Sequence, residues 1–393
     1  MLKSYKTEIN PTEEQKKIIN RTVGTCRFIY NFYLHYNKQL YGQGKKFMTA
    51  KTFSTWLNNE YLPAHPEYQW VKEASSKSLK KSMENACTAF TRFFKKQGKF
   101  PRFKKKEKSD VKMYFVKTDA KTIIRCERHR IKIPTLGWTR IKEKGYIPVN
   151  PDTHTIRSGT VPIKAGRYYV SVLVEEKETE KPQLNNFGLG IDLGIKEFAV
   201  ISNGVVKKNI NKTYKIKKLE KKLKREQRSL SRKYEDLKEH SKKMKGESYR
   251  GQNVQVTGYV PGQNIQKQAL KVQRLHQRIN NIRTDYINKT VNGIVKTKPS
   301  YITVEDLNIS GMMKNRHLSK AVVSQKFYEF RTKLEQKCGE NGIELRIVDR
   351  WFPSSKLCHK CGNIKKDLKL SDRVYKCRCG YHADSEYPLD RKP

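Results

Sequence analysis

The chain has 393 residues, with 84 Lys plus Arg against 38 Asp plus Glu, a formal net charge of +46 at pH 7. A compact fold at that charge repels itself unless a polyanion neutralises it, so nucleic acid is the expected partner, contacted along much of the chain. No apolar run reaches membrane-spanning length, and Met1-Leu-Lys-Ser-Tyr-Lys-Thr7 offers no apolar core for a signal peptide. A membrane protein and a secreted disulfide scaffold are thereby argued against. A cytosolic protein is expected, with the scattered Cys26, Cys87, Cys126 and Cys338 as free thiols.

After a strand-like start, Thr12 and Gln15 are spaced as a capping box, and Ile18, Ile19, Cys26, Ile29, Tyr30, Tyr33 and Tyr36 recur at helical spacing. A second helical region follows the break between Pro63 and Pro66 and carries Leu79, Met83, Ala86, Cys87 and Phe90. It ends in an aromatic and basic stretch from which Lys99, Arg102, Phe103, Lys104 and Lys105 are candidate nucleic-acid contacts. Rings can stack on bases while the cations meet phosphates, although the same pattern also serves a solvated loop anchored by its Phe residues. Residues 110–175 turn β-rich, with short strands at the spacing of a small barrel, and the charged, Pro-ended stretch 175–182 reads as a domain-bounding linker.

The stretch from Phe187 to Gly204 reads as two apolar runs, Leu189 to Ile195 and Phe198 to Ile201, joined at Lys196-Glu197. Asp192 stands inside the first run, where a charge is costly unless it is paired, binds a metal or faces water. A second acid has a matching context in Tyr301-Ile-Thr-Val-Glu305. Two acids at the ends of core strands are what a Mg2+-dependent phosphodiester site needs, because that cation takes oxygen ligands. Between them a lysine-rich helix carrying Ile216, Leu219, Leu223, Leu230, Tyr234 and Leu237 is expected to pair with one carrying Leu275, Ile279, Ile282, Tyr286 and Ile294. Its charge suits an exposed soluble coil as well as a nucleic-acid-facing surface. Residues 320–338 read as one helix and 343–348 as a strand, which completes the order of an α/β nuclease domain.

Cys358-His-Lys-Cys361 and Cys377-Arg-Cys379 form a four-thiolate zinc signal, and four Cys leave no open position, so the zinc is expected to be structural. With Gly190-Ile-Asp-Leu-Gly194, Val304-Glu-Asp-Leu307 and Trp351-Phe-Pro-Ser-Ser-Lys-Leu-Cys358 in this order, the chain resembles the TnpB (OrfB) family of transposon-encoded RNA-guided proteins, relatives of small type V CRISPR effectors. Tyr5-Lys-Thr-Glu-Ile-Asn-Pro-Thr12 and Lys99-Phe-Pro-Arg-Phe-Lys104 carry the likeness into the first half.

The resemblance implies an α/β fold plus a small β-barrel. A wedge barrel would occupy 1–182, with a helical recognition insert at about 12–105, followed by a RuvC-like RNase H domain with a basic helical hairpin at 183–350. A zinc-knuckle insert would occupy 351–383, and 384–393 would be a truncated end of the RuvC-like domain. It further implies a guide RNA, a double-stranded DNA target beside a short motif, no membrane, and a place in the bacterial cytoplasm at the nucleoid. Oligomeric state is left open.

On this mapping Asp192 and Glu305 are the first two RuvC carboxylates. The third motif of the family resembles Asp-Arg-Asp-x-Asn-Ala-Ala, but here His382-Ala-Asp-Ser-Glu-Tyr-Pro-Leu-Asp390 puts Glu386 at the catalytic position and Pro388 at the Asn, with Asp384 nearby and no closing helix expected. A Glu reaches one methylene further than an Asp, and Pro lacks a backbone donor and resists a helix. The expectation is a guide-directed DNA-binding repressor deficient in cleavage, resembling the nuclease-dead TnpB derivatives called TldR. The alternatives are an active Mg2+-dependent RNA-guided DNA endonuclease, or the product of a decaying open reading frame.

Overall fold

The computed structural model describes residues 1–106, 109–117, 124–150, 152–177, 180–246, 262–349, 356–358, 360–365 and 374–384. The chain divides into two compact units, Met1–Thr179 and Glu180–Pro393.

The first unit opens with β1 (Leu2–Asn10), followed by helices α1 (Glu13–Gly42), α2 (Ala50–Trp56), the single turn α3 (Leu62–Ala64) and α4 (Ser76–Phe94). The expected capping box is present: Gln15 N–H donates to Thr12 Oγ1 at 3.3 Å and Thr12 N–H to Gln15 Oε1 at 3.0 Å. Past the cap, Cys26, Ile29, Tyr33, Phe53, Met83 and Phe90 bury one face each of α1, α2 and α4 in a shared core.

The remaining strands are β2 (Met113–Val116), β3 (Arg130–Ile133), β4 (Gly137–Ile141), β5 (His154–Val161), β6 (Ile163–Lys164) and β7 (Arg167–Glu176). Where a small barrel is expected, the described strands form one antiparallel sheet in the order β2-β5-β7-β1-β4-β3, with β6 on β7. The helices are therefore inserted between β1 and β2. The charged stretch 175–182 begins later than its composition suggests, because Glu176 still belongs to β7. Its carboxylate is almost buried and held by Lys3 Nζ at 2.7 Å and by the Tyr5 hydroxyl.

The second unit contains β8 (Asn185–Leu193), β9 (Glu197–Ile201), β10 (Val206–Lys208), the long helices α5 (Tyr214–Gly246) and α6 (Gln263–Val295), and β11 (Pro299–Glu305). Then follow α7 (Ile309–Met312), α8 (Arg316–Gln325), α9 (Phe327–Asn341), β12 (Glu344–Val348), β13 (Val374–Lys376) and β14 (His382–Asp384). The central sheet runs β10-β9-β8-β11-β12, antiparallel from β8 to β10 and parallel from β8 to β12. It is the strand order of an RNase H-like sheet, 3-2-1-4-5 when the strands are counted along the chain. Its core joins Leu189, Ile191, Ile302 and Val304 to α6 and α9.

Two further expectations need correction. The seam between α5 and α6 packs Ile216 and Leu219 on Ile279 with Leu223, Leu275 and Ile282 alongside, and past Leu223 it is continued by polar contacts, Gln268 Nε2 donating to the Glu226 carbonyl at 3.0 Å. Farther along α5, Tyr234 is exposed, while Tyr286 and Ile294 of α6 turn to the sheet core. The helix expected over 320–338 is two helices, because Lys326 adopts a left-handed conformation with φ 59°. The break lets buried Gln325 reach the carbonyls of Gly194 and Ile195 at 3.4 Å and lets Phe327 stack on Phe198. Asp192 is exposed on β8, the central strand of the sheet.

Candidate functional site

Asp192 is exposed although its neighbours Ile191 and Leu193 are buried, because strand side chains alternate between faces. Thr303 pairs with Gly190 and Val304 with Ile191, so Asp192 and Glu305 stand one residue beyond the last paired positions of adjacent parallel strands. Laterally matched residues project to the same face, which places the two acids together on the face opposite Ile191 and Val304. Glu305 in turn pairs with Val348, so Asp349 follows directly at the end of β12. Acids thus mark the carboxyl ends of three successive parallel strands, the edge at which open α/β sheets present ligand crevices.

Behind Glu305, Asp306 donates its N–H to the Val348 carbonyl at 3.0 Å and accepts a 2.6 Å hydrogen bond from Arg331 Nη1 on α9. A cavity of about 240 Å³ opens here, lined by Leu193, Val304, Glu305, Phe327, Tyr328 and Arg331 among others. Sequence reading missed Arg331 and Tyr328; the only signal available was an arginine and a tyrosine off the apolar stripe of a helix.

Of the two tail acids, Asp384 closes β14, and its side chain lies outside the described residues, as does Glu386. Among the described residues, no third His, Cys, Asp or Glu converges with the Asp192–Glu305 pair; the one such convergent group is formed by cysteines.

In the first unit, Lys99, Arg102, Phe103 and Lys105 are exposed, Phe103 at 53%. Lys104 is pinned. Its N–H donates to Asn31 Oδ1 at 2.7 Å, its carbonyl accepts from Asn31 Nδ2 at 3.0 Å, and its ammonium lies 5.0 Å from the centroid of the Tyr30 ring. The basic loop is therefore fixed on α1 while most of its cations stay in water.

The four cysteines converge. Cys358, Cys361, Cys377 and Cys379 bring their Sγ atoms within 4.8 Å of one another, with closest pairs at 3.6 Å (358 and 379) and 3.5 Å (361 and 377). A tetrahedral zinc with ~2.3 Å bonds to sulfur sets neighbouring sulfurs about 3.8 Å apart, so the cluster fits that ion. Each Cys pair is followed by a left-handed glycine, Gly362 at φ 70° and Gly380 at φ 81°. These glycines allow the tight turns in which Gly362 N–H reaches the Cys358 carbonyl at 2.8 Å and Gly380 N–H that of Cys377 at 3.1 Å. The one-residue spacing of the second pair is therefore no obstacle, and His382 does not join the cluster. A hydrogen bond from the Cys379 backbone brings the Cys377 thiol down to about 6, toward the thiolate that a metal takes.

Three family profiles match the chain: a probable transposase (OrfB of IS605) over 170–316, a helix-turn-helix domain of the same OrfB proteins over 1–46, and a Cas12f1-like TNB domain over 327–387. Residues 1–46 here form a strand and one uninterrupted helix, so the second description names a motif that they do not build. The chain is 29% identical over 394 residues to the putative RNA-guided DNA endonuclease InsQ of Escherichia coli (strain K12), covering 96% of this chain and 87% of that one. It is 29% identical over 398 residues to a putative RNA-guided DNA endonuclease of Streptomyces pristinaespiralis, covering 98% and 86%. Its fold is similar to that of a chain in the cryo-EM structure of a Cas12f1–sgRNA–target DNA complex, with a TM-score of 0.56 at 14% identity over 97% of this chain and 96% of that one. Along nearly its whole length, then, the chain is similar to OrfB-type proteins and putative RNA-guided DNA endonucleases.

Proposed function

We propose that the protein binds a guide RNA and, through it, a complementary double-stranded DNA beside a short motif, and that it cleaves that DNA poorly or not at all. The observation that carries the binding half is the charge of +46 on a chain with these relatives, which demands a polyanion along much of its surface. In such a complex, base pairing reads the target while the protein reads the short motif and duplex shape. Residues 1–182 would form the wedge barrel with its helical insert at about 12–105, where Lys99, Arg102, Phe103, Lys104 and Lys105 would meet nucleic acid. Residues 183–350 would be the RuvC-like domain, 351–383 a target-binding knuckle held by structural zinc on the four cysteines, and 384–393 the end of the RuvC-like domain.

Asp192 and Glu305 would supply the oxygen ligands for Mg2+, whose part, when bound, is to activate water and stabilise the leaving oxygen. The reduced cleavage is carried by the third motif. Glu386 is longer than the Asp it replaces, and Pro388 removes a backbone donor beside it, which matters because Mg2+ requires near-octahedral ligands and a misplacement of ~1 Å can cost ~100-fold. A protein that occupies DNA uncut acts at the nucleoid as a guide-directed transcriptional repressor. The intact Asp192–Glu305 pair favours a second reading, an active RNA-guided endonuclease completed by Asp384 or Glu386.

One paired experiment separates them. The protein is expressed with its flanking DNA, the copurifying RNA is sequenced, and matched duplexes are tested for binding and cutting in Mg2+. Guide-dependent binding without cleavage supports the repressor. Cleavage that Asp192→Ala abolishes supports the endonuclease and refutes the repressor, and a protein without RNA refutes both.

A further inference from the structure

The cavity beside Glu305 is not accounted for by a two-acid metal site. We propose that it takes one unpaired nucleotide of a single strand, with the base against the Tyr328 ring. This inference rests on the reading of the Asp192–Glu305 face as a nucleic-acid site.

The geometry of α9 makes the pocket. Phe327, Phe330 and Leu334 point into the sheet core and are 3%, 0% and 0% exposed. Tyr328 and Arg331, three residues apart, fall on the other side of the helix, and both line the cavity. Its floor includes Leu193, Val304 and Phe327, an apolar surface that a flat heterocycle can cover. At the rim, Tyr328 is 67% exposed, so its ring is open to a ligand that enters the cavity. A cavity of about 240 Å³ is the scale of one nucleoside and too small for a helix or a duplex.

Charge decides the class of ligand further. Two carboxylates line the same cavity, and left alone they would repel a phosphodiester. Arg331 is hydrogen-bonded to Asp306 at 2.6 Å, and both side chains are partly exposed, at 35% and 26%. The pair cancels one of the two negative charges and leaves a guanidinium edge near the phosphate of a bound nucleotide. Glu305, the second acid, is the group that shares a sheet face with Asp192. A base held on Tyr328 therefore lies at the carboxyl end of β11, the strand that carries Glu305. Stacking reads every base by its π-face, so the pocket has little sequence preference. That suits a protein whose sequence choice is made by pairing elsewhere.

The test uses the purified protein with its copurified RNA, in Ca2+ in place of Mg2+ so that no strand is consumed. The probe is a short single-stranded oligothymidylate carrying one 4-thiothymidine, read by photocrosslink mapping and by fluorescence anisotropy. A crosslink to the peptide holding Tyr328 is expected. Tyr328→Ala is expected to weaken oligonucleotide binding about 10-fold, the effect of losing one stacked base, while Tyr328→Phe keeps affinity within ~2-fold. Equal affinity of Tyr328→Ala and the parent overturns the proposal, as does a crosslink that maps only elsewhere. A loss in Tyr328→Phe as large as that in Tyr328→Ala does so too, because it removes stacking as the cause. If the parent complex fails to bind the matched duplex, the guide-directed reading fails instead, and the crosslink still decides the pocket.

Discussion

Gly159 offers a sharp test of the packing in the first unit. It lies on β5 opposite Phe115 of β2, and a Cβ placed there would sit 2.3 and 2.7 Å from Cζ and Cε2 of the Phe115 ring and 2.9 Å from the Ser171 carbonyl oxygen. Neither neighbour gives way easily. Phe115 is 2% exposed within the sheet core, and Ser171 belongs to β7, which is hydrogen-bonded on both sides. Overpacking of this kind costs ~1–3 kcal/mol, and a backbone obstacle places it in the upper part of that range. Against this stands ~0.5–1 kcal/mol gained because Ala loses less backbone freedom than Gly in a strand. Gly159→Ala should therefore destabilise the first unit by about 1–2 kcal/mol.

Urea unfolding reads the effect through tryptophan fluorescence, since Trp56, Trp70 and Trp138 lie in this unit and Trp351 is the only other indole of the chain. At a slope of ~2 kcal/mol per molar urea, the first transition should move down by roughly 0.5–1 M. Phe115→Leu deletes the offending ring atoms, so the double variant should fall short of the sum of the two single losses by about 1 kcal/mol. An unchanged midpoint for Gly159→Ala, or single effects that add to within ~0.5 kcal/mol, would refute the packing argument.

Two further outcomes are expected. Cys361→Ser should lower zinc measured by atomic absorption to well below one equivalent per chain and expose the knuckle to proteolysis; full zinc content in that variant would remove Cys361 from the ligand set. Glu176 sets an acid limb of stability: burial pushes its carboxyl up, but hydrogen bonds from Lys3 and Tyr5, with the Lys3 charge, outweigh that and leave it below its ordinary value. A carboxyl lowered by folding stabilises above its unfolded pKa of ~4.3 and loses that contribution as pH falls through the folded value. Glu176→Gln should accordingly be less stable than the parent at pH 7, with the gap narrowing between about pH 5 and pH 3; a gap of equal size at both ends would refute the assignment.

Local rules carried much of the fold. The start of α1 was legible because a capping box is a signal within four residues, and the cysteine knuckle because thiolate spacing near Gly362 and Gly380 is local too. What failed depended on distant partners. Nothing between residues 320 and 338 announces that Gln325 must turn back to carbonyls on the β8–β9 connection, and that demand is what splits the helix at Lys326. Likewise the heptad-like pattern of α6 is continuous, yet Ile279 faces α5 while Ile287 and Ile294 face the sheet. Periodicity names the apolar face of a helix but not the neighbour that covers it.

The same distinction separates the two halves of the site. Asp192 and Glu305 were readable because a carboxylate inside an apolar strand contradicts its surroundings and so asks for a reason. Arg331 and Tyr328 contradict nothing: on an amphipathic helix, polar and aromatic residues off the buried stripe are ordinary. Their shared cavity comes from the register that puts Val304 beside Ile191 and from α9 lying near the end of β11, facts that exist only after the sheet has formed. A carboxylate inside an apolar strand betrays itself by local cost, whereas the residues around a cavity become visible only through the cavity they share. Variants at Tyr328 and at Asp192 should accordingly separate, the first changing how a single strand is held and the second any cleavage the protein retains.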